Sequence, residues 1–240
     1  MRNGFLSIAG LLVAWQALFQ FAGTHALSPP IDTMLFLLHL LETATFWGHL
    51  LETGRAFAAA LALSVLLGLG IGLPFGLNKL AAEIAEPLLV SAYAVPKIVL
   101  FPIVLLIFGI GLPAKIAFGA IHGVIPVAIF AMAGVRQVGP VYLRTARVLR
   151  LSRTATLCCI VWPAALPEIF SGLRIGFSLT LIGTLLGEMF GSQKGLGYLL
   201  MNAIGLQNVP VIMAVTLLLA IFAATLSTVL LAWDRRLHRG

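Results

Sequence analysis

An all-α integral membrane protein with six transmembrane helices is the architecture encoded by this 240-residue chain. Its composition is 60% hydrophobic and only 10% charged, against about 45–50% apolar and roughly 25% charged in soluble domains. Six stretches are long enough to cross about 30 Å of hydrocarbon, which takes roughly 20 apolar residues as helix. The arginines gather on one side of those stretches, as the positive-inside rule requires of cytoplasmic loops. Lipid offers no partner to a free backbone N–H or C=O, so such runs must be helices rather than open strands. No linker or low-complexity tract divides the chain, which reads as one membrane domain over residues 1–240.

The first span covers residues 4–23. Thr24, His25 and Ala26 faintly resemble a small-residue cleavage site, but the apolar run before them is longer than a signal-peptide core, so an uncleaved span is expected. Residues 27–52 begin LSPP and hold an apolar run, 34–41, too short to cross and interrupted by His39. An amphipathic helix on the outer surface is expected there. The second span, 56–77, contains Gly68, Gly70, Gly72 and Gly76, which would let a neighbouring helix approach closely. Glycine is also simply common in membrane helices.

The third span, 88–110, contains Pro96 and Pro102, each of which removes a helical hydrogen bond and can kink the helix. Between them lies Lys97, an ammonium inside an apolar run. Intramembrane charges usually face a cavity or a partner, so Lys97, with Tyr93 and Pro96 beside it, is a candidate lining of a path for an anionic solute. A lysine near the cytoplasmic end that snorkels to the interface is the alternative. The fourth span, 116–135, carries no Asp, Glu, Lys or Arg. The fifth, 169–187, ends beside Glu188, and Arg174 lies fourteen residues back, about 21 Å along the axis and out of pairing range. Glu188 is expected to accept hydrogen bonds from the following loop, GSQKGLGY, where Gly191, Gly195 and Gly197 permit tight turns. A role in gating or in the solute path is the second reading of Glu188. The sixth span covers 209–233.

With Arg2 inside, residues 137–166 and the tail 234–240 also fall inside, and they hold Arg144, Arg147, Arg150, Arg153, Arg235, Arg236 and Arg239. The outer loop, 24–55, holds Asp32, Glu42 and Glu52 against Arg55 alone. Both termini are therefore expected in the cytoplasm. The net charge of +7 follows from that asymmetry and does not mark a nucleic-acid binder. Cys158 and Cys159 fall on the cytoplasmic side, where free thiols are the rule.

Enzyme chemistry is missing from the pattern. There is no G-x-x-x-x-G-K-[ST] phosphate loop and no G-x-S-x-G serine. The five histidines are scattered, and no His, Cys, Asp and Glu set has metal-ligand spacing. The pentapeptide GIGLP occurs at 70–74 and again at 109–113, but its flanks differ, so an internal repeat of the transporter kind is not supported.

The densest positive charge lies in RTARVLRLSRTATLCCIVWPAALP, residues 144–167. Residues 144–151 have helical propensity, Ser152 is suited to cap a helix over 153–160, and Pro163 and Pro167 should limit how far that helix runs. Two short helices joined by a turn would make a compact cytoplasmic knob. A basic loop that only binds anionic lipid has the same periodicity.

Spacing favours the knob. The segment resembles the cytoplasmic signature of ABC importer permeases: Glu-Ala-Ala, three residues, Gly, nine residues, Ile-x-Leu-Pro. It falls here on Arg144-Thr145-Ala146, then Arg150, then Ile160-Val161-Trp162-Pro163, with each interval kept. Ala146, Ile160 and Pro163 match, whereas Arg144, Arg150 and Trp162 replace the Glu, Gly and Leu. LSRTATLCCIVWPAALPEIFSGLRIG, GEMFGSQKGLGYLLMNA and AVPKIVLFPIVLLIFGIG extend the resemblance to the nitrate/sulfonate/taurine group over nearly the whole chain.

The resemblance implies a type I ABC importer permease in a bacterial inner membrane, six spans per subunit and homodimeric. Its coupling segment, 137–166, would dock into cytoplasmic ABC ATPase subunits through Arg144, Thr145, Ala146, Arg147, Arg150, Ser152, Ile160 and Pro163. A small anionic or organic solute would come from an extracytoplasmic binding protein, and ATP and Mg would be held by the ATPase partner, leaving no cofactor in this chain. Membrane lipid is the remaining partner expected, with no nucleic acid. An ion-coupled secondary carrier, using Lys97, Arg174 and Glu188 directly, is the main alternative, and a non-transporting scaffold the third. Where the family pattern has glycine the segment should turn, and a positive φ there would strain Arg150.

Overall fold

The computed structural model describes residues 2–237; the expected tail beyond them, with Arg239, lies outside the described residues. Helix α1 (Arg2–Ala22) ends at Gly23, whose φ of 77° turns the chain. The indole N–H of Trp15 then donates to the Ser28 carbonyl at 3.0 Å, folding the connection back on α1. Helix α2 (Pro30–Leu41) opens with proline at its start and Asp32 in its first turn, both suited to an N-terminus. Its Thr33 and Leu37 are buried against α11 (Val209–Leu237), while Leu40 and Leu41 join a cluster around Phe46, Leu196 and Val215.

The short helix expected around the apolar run 34–41 is α2, whereas residues 44–52 belong to the next helix. Helix α3 (Ala44–Leu77) begins twelve residues before the expected start of the second span and runs 34 residues, about 51 Å and longer than the hydrocarbon is thick. Its first turns hold because Phe46 is buried in that cluster.

The third span, expected over 88–110, is not one helix. Helix α4 (Lys79–Ala94) is capped by Asn78, whose side chain accepts from the Ala81 N–H, and the chain then bends by 84° into a 3₁₀ turn (Lys97–Leu100) and α5 (Phe101–Phe108). Pro96 causes the break: it has no N–H and holds Val95 extended at ψ 129°. Pro102 kinks nothing, since it sits in the first turn of α5, where a missing N–H costs no bond.

Gly109 and Gly111, with φ of 71° and 129°, form the turn into α6 (Leu112–Arg136). GIGLP is thus a turn here and continuous helix inside α3, so the pentapeptide marks no repeat. Beyond α6 come α7 (Pro140–Val148), α8 (Arg153–Thr156), a π turn (Leu157–Val161), α9 (Trp162–Gly191), α10 (Leu196–Gly205) and α11.

The core is α6 held between α3 and α9. Gly68, Gly72 and Gly76 recur every four residues on the face of α3 that meets α6; a Cβ at Gly72 would come 2.8 Å from the Ala131 Cβ, and one at Gly76 2.7 Å from the Val135 Cβ. Gly70 faces open space. The hydroxyls of Ser64 and Thr180 meet at 3.0 Å between α3 and α9. Outside this centre the large apolar side chains point outward, with Phe21, Leu106 and Leu11 among the most exposed, the distribution a lipid-facing surface requires.

Among the described residues four helices are long and apolar enough to cross a membrane: Ala44–Leu77, Leu112–Arg136, Thr154–Gly191 and Val209–Trp233. The bent pair Lys79–Ala94 and Lys97–Phe108 makes a fifth if taken as one span, and α1 contributes the shorter apolar stretch Ala9–Ala22.

Candidate functional site

The knob is built by α7 and α8. Pro140 opens α7, and its one buried residue is Ala146. Arg144, Thr145, Arg147 and Arg150 are exposed. The turn after α7 closes by two bonds: the Leu151 N–H donates to the Ala146 carbonyl at 3.0 Å and the Arg150 N–H to the Arg147 carbonyl at 3.1 Å. This is a Schellman closure, in which the residue beyond the cap takes the left-handed conformation and is usually glycine. Here it is Arg150, with φ 50°.

Ser152 then caps the next helix, its Oγ accepting from the Ala155 N–H at 3.1 Å. That helix is not short. It passes through the π turn into α9, so residues 154–191 form one 38-residue helix, and Pro163 and Pro167 do not end it. The Trp162 N–H bonds to the Leu157 carbonyl, five residues back. The ladder is already widened where Pro163 would otherwise clash. Pro163 is exposed there, whereas Ile160 packs partly against the cluster of Val135, Val138, Val161, Ala165 and Ile169 that anchors the knob to α6 and α9. Beside this base, Arg136 at the end of α6 pairs with Glu86 of α4.

A second polar group closes the opposite ends of the core helices. Lys115, near the start of α6, is fully buried. Its ammonium lies 2.9 Å from Oε1 of Glu52 and 3.7 Å from Oε1 of Glu188, and donates to the Lys194 carbonyl at 3.2 Å. Glu188, also fully buried, accepts from the Thr53 hydroxyl at 2.8 Å and from the Gly197 N–H at 3.0 Å. The Thr53 oxygen in turn accepts from the Leu196 N–H at 2.8 Å. Nδ1 of His49 accepts from the Gly195 N–H at 3.1 Å, so a neutral His49 carries its proton on Nε2. The loop between α9 and α10 is thus stitched to α3 and α6, and Gly195, at φ 117°, makes the turn around Glu188. The sequence reading found Glu188 and its loop but passed over Glu52, Thr53, His49 and Lys115. The available signal was that Glu52, Lys115 and Glu188 all fall at the same end of their spans.

The four residues proposed from sequence for a solute path do not form one site. Lys97 sits at the α4 break, where Nζ donates to the Tyr93 carbonyl at 3.0 Å, a group the interrupted helix leaves open, and lies 5.1 Å from the Tyr93 ring centre. Tyr93 and Pro96 are exposed beside it. Glu188 is engaged in the separate cluster of α3, α6 and the α9–α10 loop. Tyr93 instead shares with Arg174 a cavity of about 380 Å³ between α4, α9 and α11.

Residues 64–240 match the family described as the binding-protein-dependent transport system inner membrane component. The chain belongs to that family. The permease is 32% identical over 238 residues to the taurine transport system permease protein of Escherichia coli (strain K12), covering 96% of this chain and 86% of that one. It is 31% identical over 209 residues to a bicarbonate transport system permease of Synechococcus elongatus (82% and 74%). To a nitrate import permease of Synechocystis it is 28% identical over 207 residues (82% and 75%). Among solved structures, an amino acid ABC transporter has a TM-score of 0.65 at 22% identity, covering 84% of this chain and 98% of that one. The MetNI methionine ABC transporter has a TM-score of 0.63 at 19% identity (76% and 93%). The fold is that of a type I ABC permease. The permease is the membrane component of an ABC importer, not a secondary carrier and not an enzyme, and its system supplies an ATPase and a binding protein as separate partners.

Proposed function

We propose that the permease imports a small anionic solute, working as a homodimer of six-span subunits in a bacterial inner membrane with both termini in the cytoplasm. The solute class is supported by the names of several of its relatives, permeases for taurine, aliphatic sulfonates, bicarbonate and nitrate, beside others named for formylaminopyrimidine and riboflavin. The placement of the termini follows from the arginine asymmetry. ATP and Mg are bound by the ATPase partner, and this chain carries no cofactor and meets no nucleic acid.

The observation that carries the mechanism is the continuity of the knob with α9. A ligand shifts a conformational equilibrium only through contacts that differ in strength between two states. The segment 137–166 presents Arg144, Arg147 and Arg150 to the cytoplasm, and its second helix runs unbroken into residues 162–191. About 51 Å of helix then joins the start of that helix at Thr154 to Glu188, so a displacement of the knob by the ATPase tilts the element that carries both Arg174 and Glu188. Alternating access follows if the Glu188 cluster opens when that tilt is imposed.

Purification tests the reading. The permease alone should hydrolyse no ATP, because it lacks a phosphate loop, and hydrolysis should appear on adding its ATPase. Robust hydrolysis by a preparation shown free of other subunits contradicts it.

A further inference from the structure

Three successive backbone N–H groups at the start of α10, where a helix supplies no partner of its own, are taken up by side chains. Gly195 donates to Nδ1 of His49 at 3.1 Å, Leu196 to the Thr53 hydroxyl oxygen at 2.8 Å and Gly197 to Glu188 at 3.0 Å. His49 and Thr53 stand four residues apart and so share one face of α3. The face of one helix thereby caps the end of another and closes the loop over Glu188.

These three acceptors answer differently to acid. Thr53 does not titrate. Glu188 lies at a helix N-terminus, where negative charge is favoured. His49 accepts only while Nδ1 is bare, since a backbone N–H can only donate and a protonated imidazole has no acceptor left. Protonation removes the Gly195 bond outright and sets a positive charge against the positive end of α10.

The groups around the ring leave that charge uncompensated. Lys194 of the loop and Lys115 of α6 are the cations that act on it. The carboxylates of Glu52 on α3 and Glu188 on α9 are already engaged by Lys115, at 2.9 Å and 3.7 Å. From α10 the imidazole meets the Tyr198 ring, stacked at 5.9 Å between centroids, which offers a ring face and no anion.

We infer that His49 is a positioning residue whose protonation unfastens the loop between α9 and α10, so that acid on that side of the membrane opens the Glu188 cluster. The inference rests on the reading of that cluster as the gate of alternating access, and adds the residue and the chemical signal that release it.

The test uses the permease–ATPase complex in lipid nanodiscs between about pH 8 and pH 5, the range in which histidine ordinarily changes charge. Hydrogen exchange, corrected for the intrinsic effect of pH, reads the amides of Gly195, Leu196 and Gly197. In the native complex their protection should fall about three- to ten-fold on acidification, the ratio expected from one hydrogen bond. His49→Gln keeps a side-chain acceptor that does not titrate and should hold its protection across the range. His49→Leu, with no acceptor, should be poorly protected at every pH. Protection of the native loop that does not change with pH, or an equal fall in His49→Gln, overturns the inference.

Hydrolysis stimulated by the loaded binding protein is followed in the same samples. It should change with acid in the native complex and less in His49→Gln. A loop that opens with acid in the native complex alone, with stimulated hydrolysis the same in both, upholds His49 and refutes the gate reading.

Discussion

Replacing Arg150 with glycine isolates the strain at the tip of the knob. A non-glycine residue in the left-handed conformation costs about 1–2 kcal/mol, and Arg150, at φ 50°, occupies it with both closing bonds in place. Arg150→Gly should stabilise the turn by about 1 kcal/mol, the relief being partly offset by the greater freedom glycine has when the turn opens. Hydrogen exchange should then show roughly five-fold slower opening of the amides after α7, since 1 kcal/mol is about a factor of five.

Binding should move the other way. Exposed ion pairs contribute only about 0.2–1 kcal/mol each, so several acidic groups on the ATPase must face Arg144, Arg147 and Arg150 together. Assembly should weaken as the Debye length falls from about 30 Å at 0.01 M to about 3 Å at 1 M salt. At low salt Arg150→Gly should bind the ATPase less tightly than the native permease, and Arg150→Glu less tightly still. Salt-insensitive assembly, or ATPase coupling improved by glycine, refutes the reasoning and marks the knob as strained without compensation.

The buried cluster makes a stability prediction. Lys115→Met strands Glu52 and Glu188 and should cost about 3–5 kcal/mol, read as a lower unfolding temperature of the detergent-solubilised permease; a variant as stable as the native chain contradicts the cluster. Gly72→Leu should cost about 1–3 kcal/mol by overpacking α3 against α6, whereas Gly70→Leu, facing open space, should stay within about 0.5 kcal/mol. For topology, a cysteine placed at Gly240 and the native Cys158 should both resist an impermeant thiol reagent in intact cells, and labelling of either reverses the orientation.

Much of this was legible because each signal was local. Hydropathy locates most of the helices, Ser152 is readable as a cap, and the motif register places a turn at Arg150, where φ is positive. The errors came from tertiary effects. Nothing in the sequence near Ala44 shows that Phe46 will be buried by Leu196 and Val215, which are distant in the chain, so α3 was begun too late. Pro96 and Pro102 look alike in sequence, yet one breaks the helix and the other starts one. Pro163 suggests a stop until the π turn before it absorbs the missing bond. Lys115 falls just outside the expected fourth span, 116–135, because a hydropathy window sees one charge and cannot see Glu52 and Glu188 converging on it from two other helices.

Reconstitution with the ATPase and the binding protein in sealed proteoliposomes tests the central claim most directly. Solute uptake should require internal ATP together with external loaded binding protein, and should persist when ion gradients are collapsed. Uptake by the permease alone, driven by an ion gradient, would contradict the account.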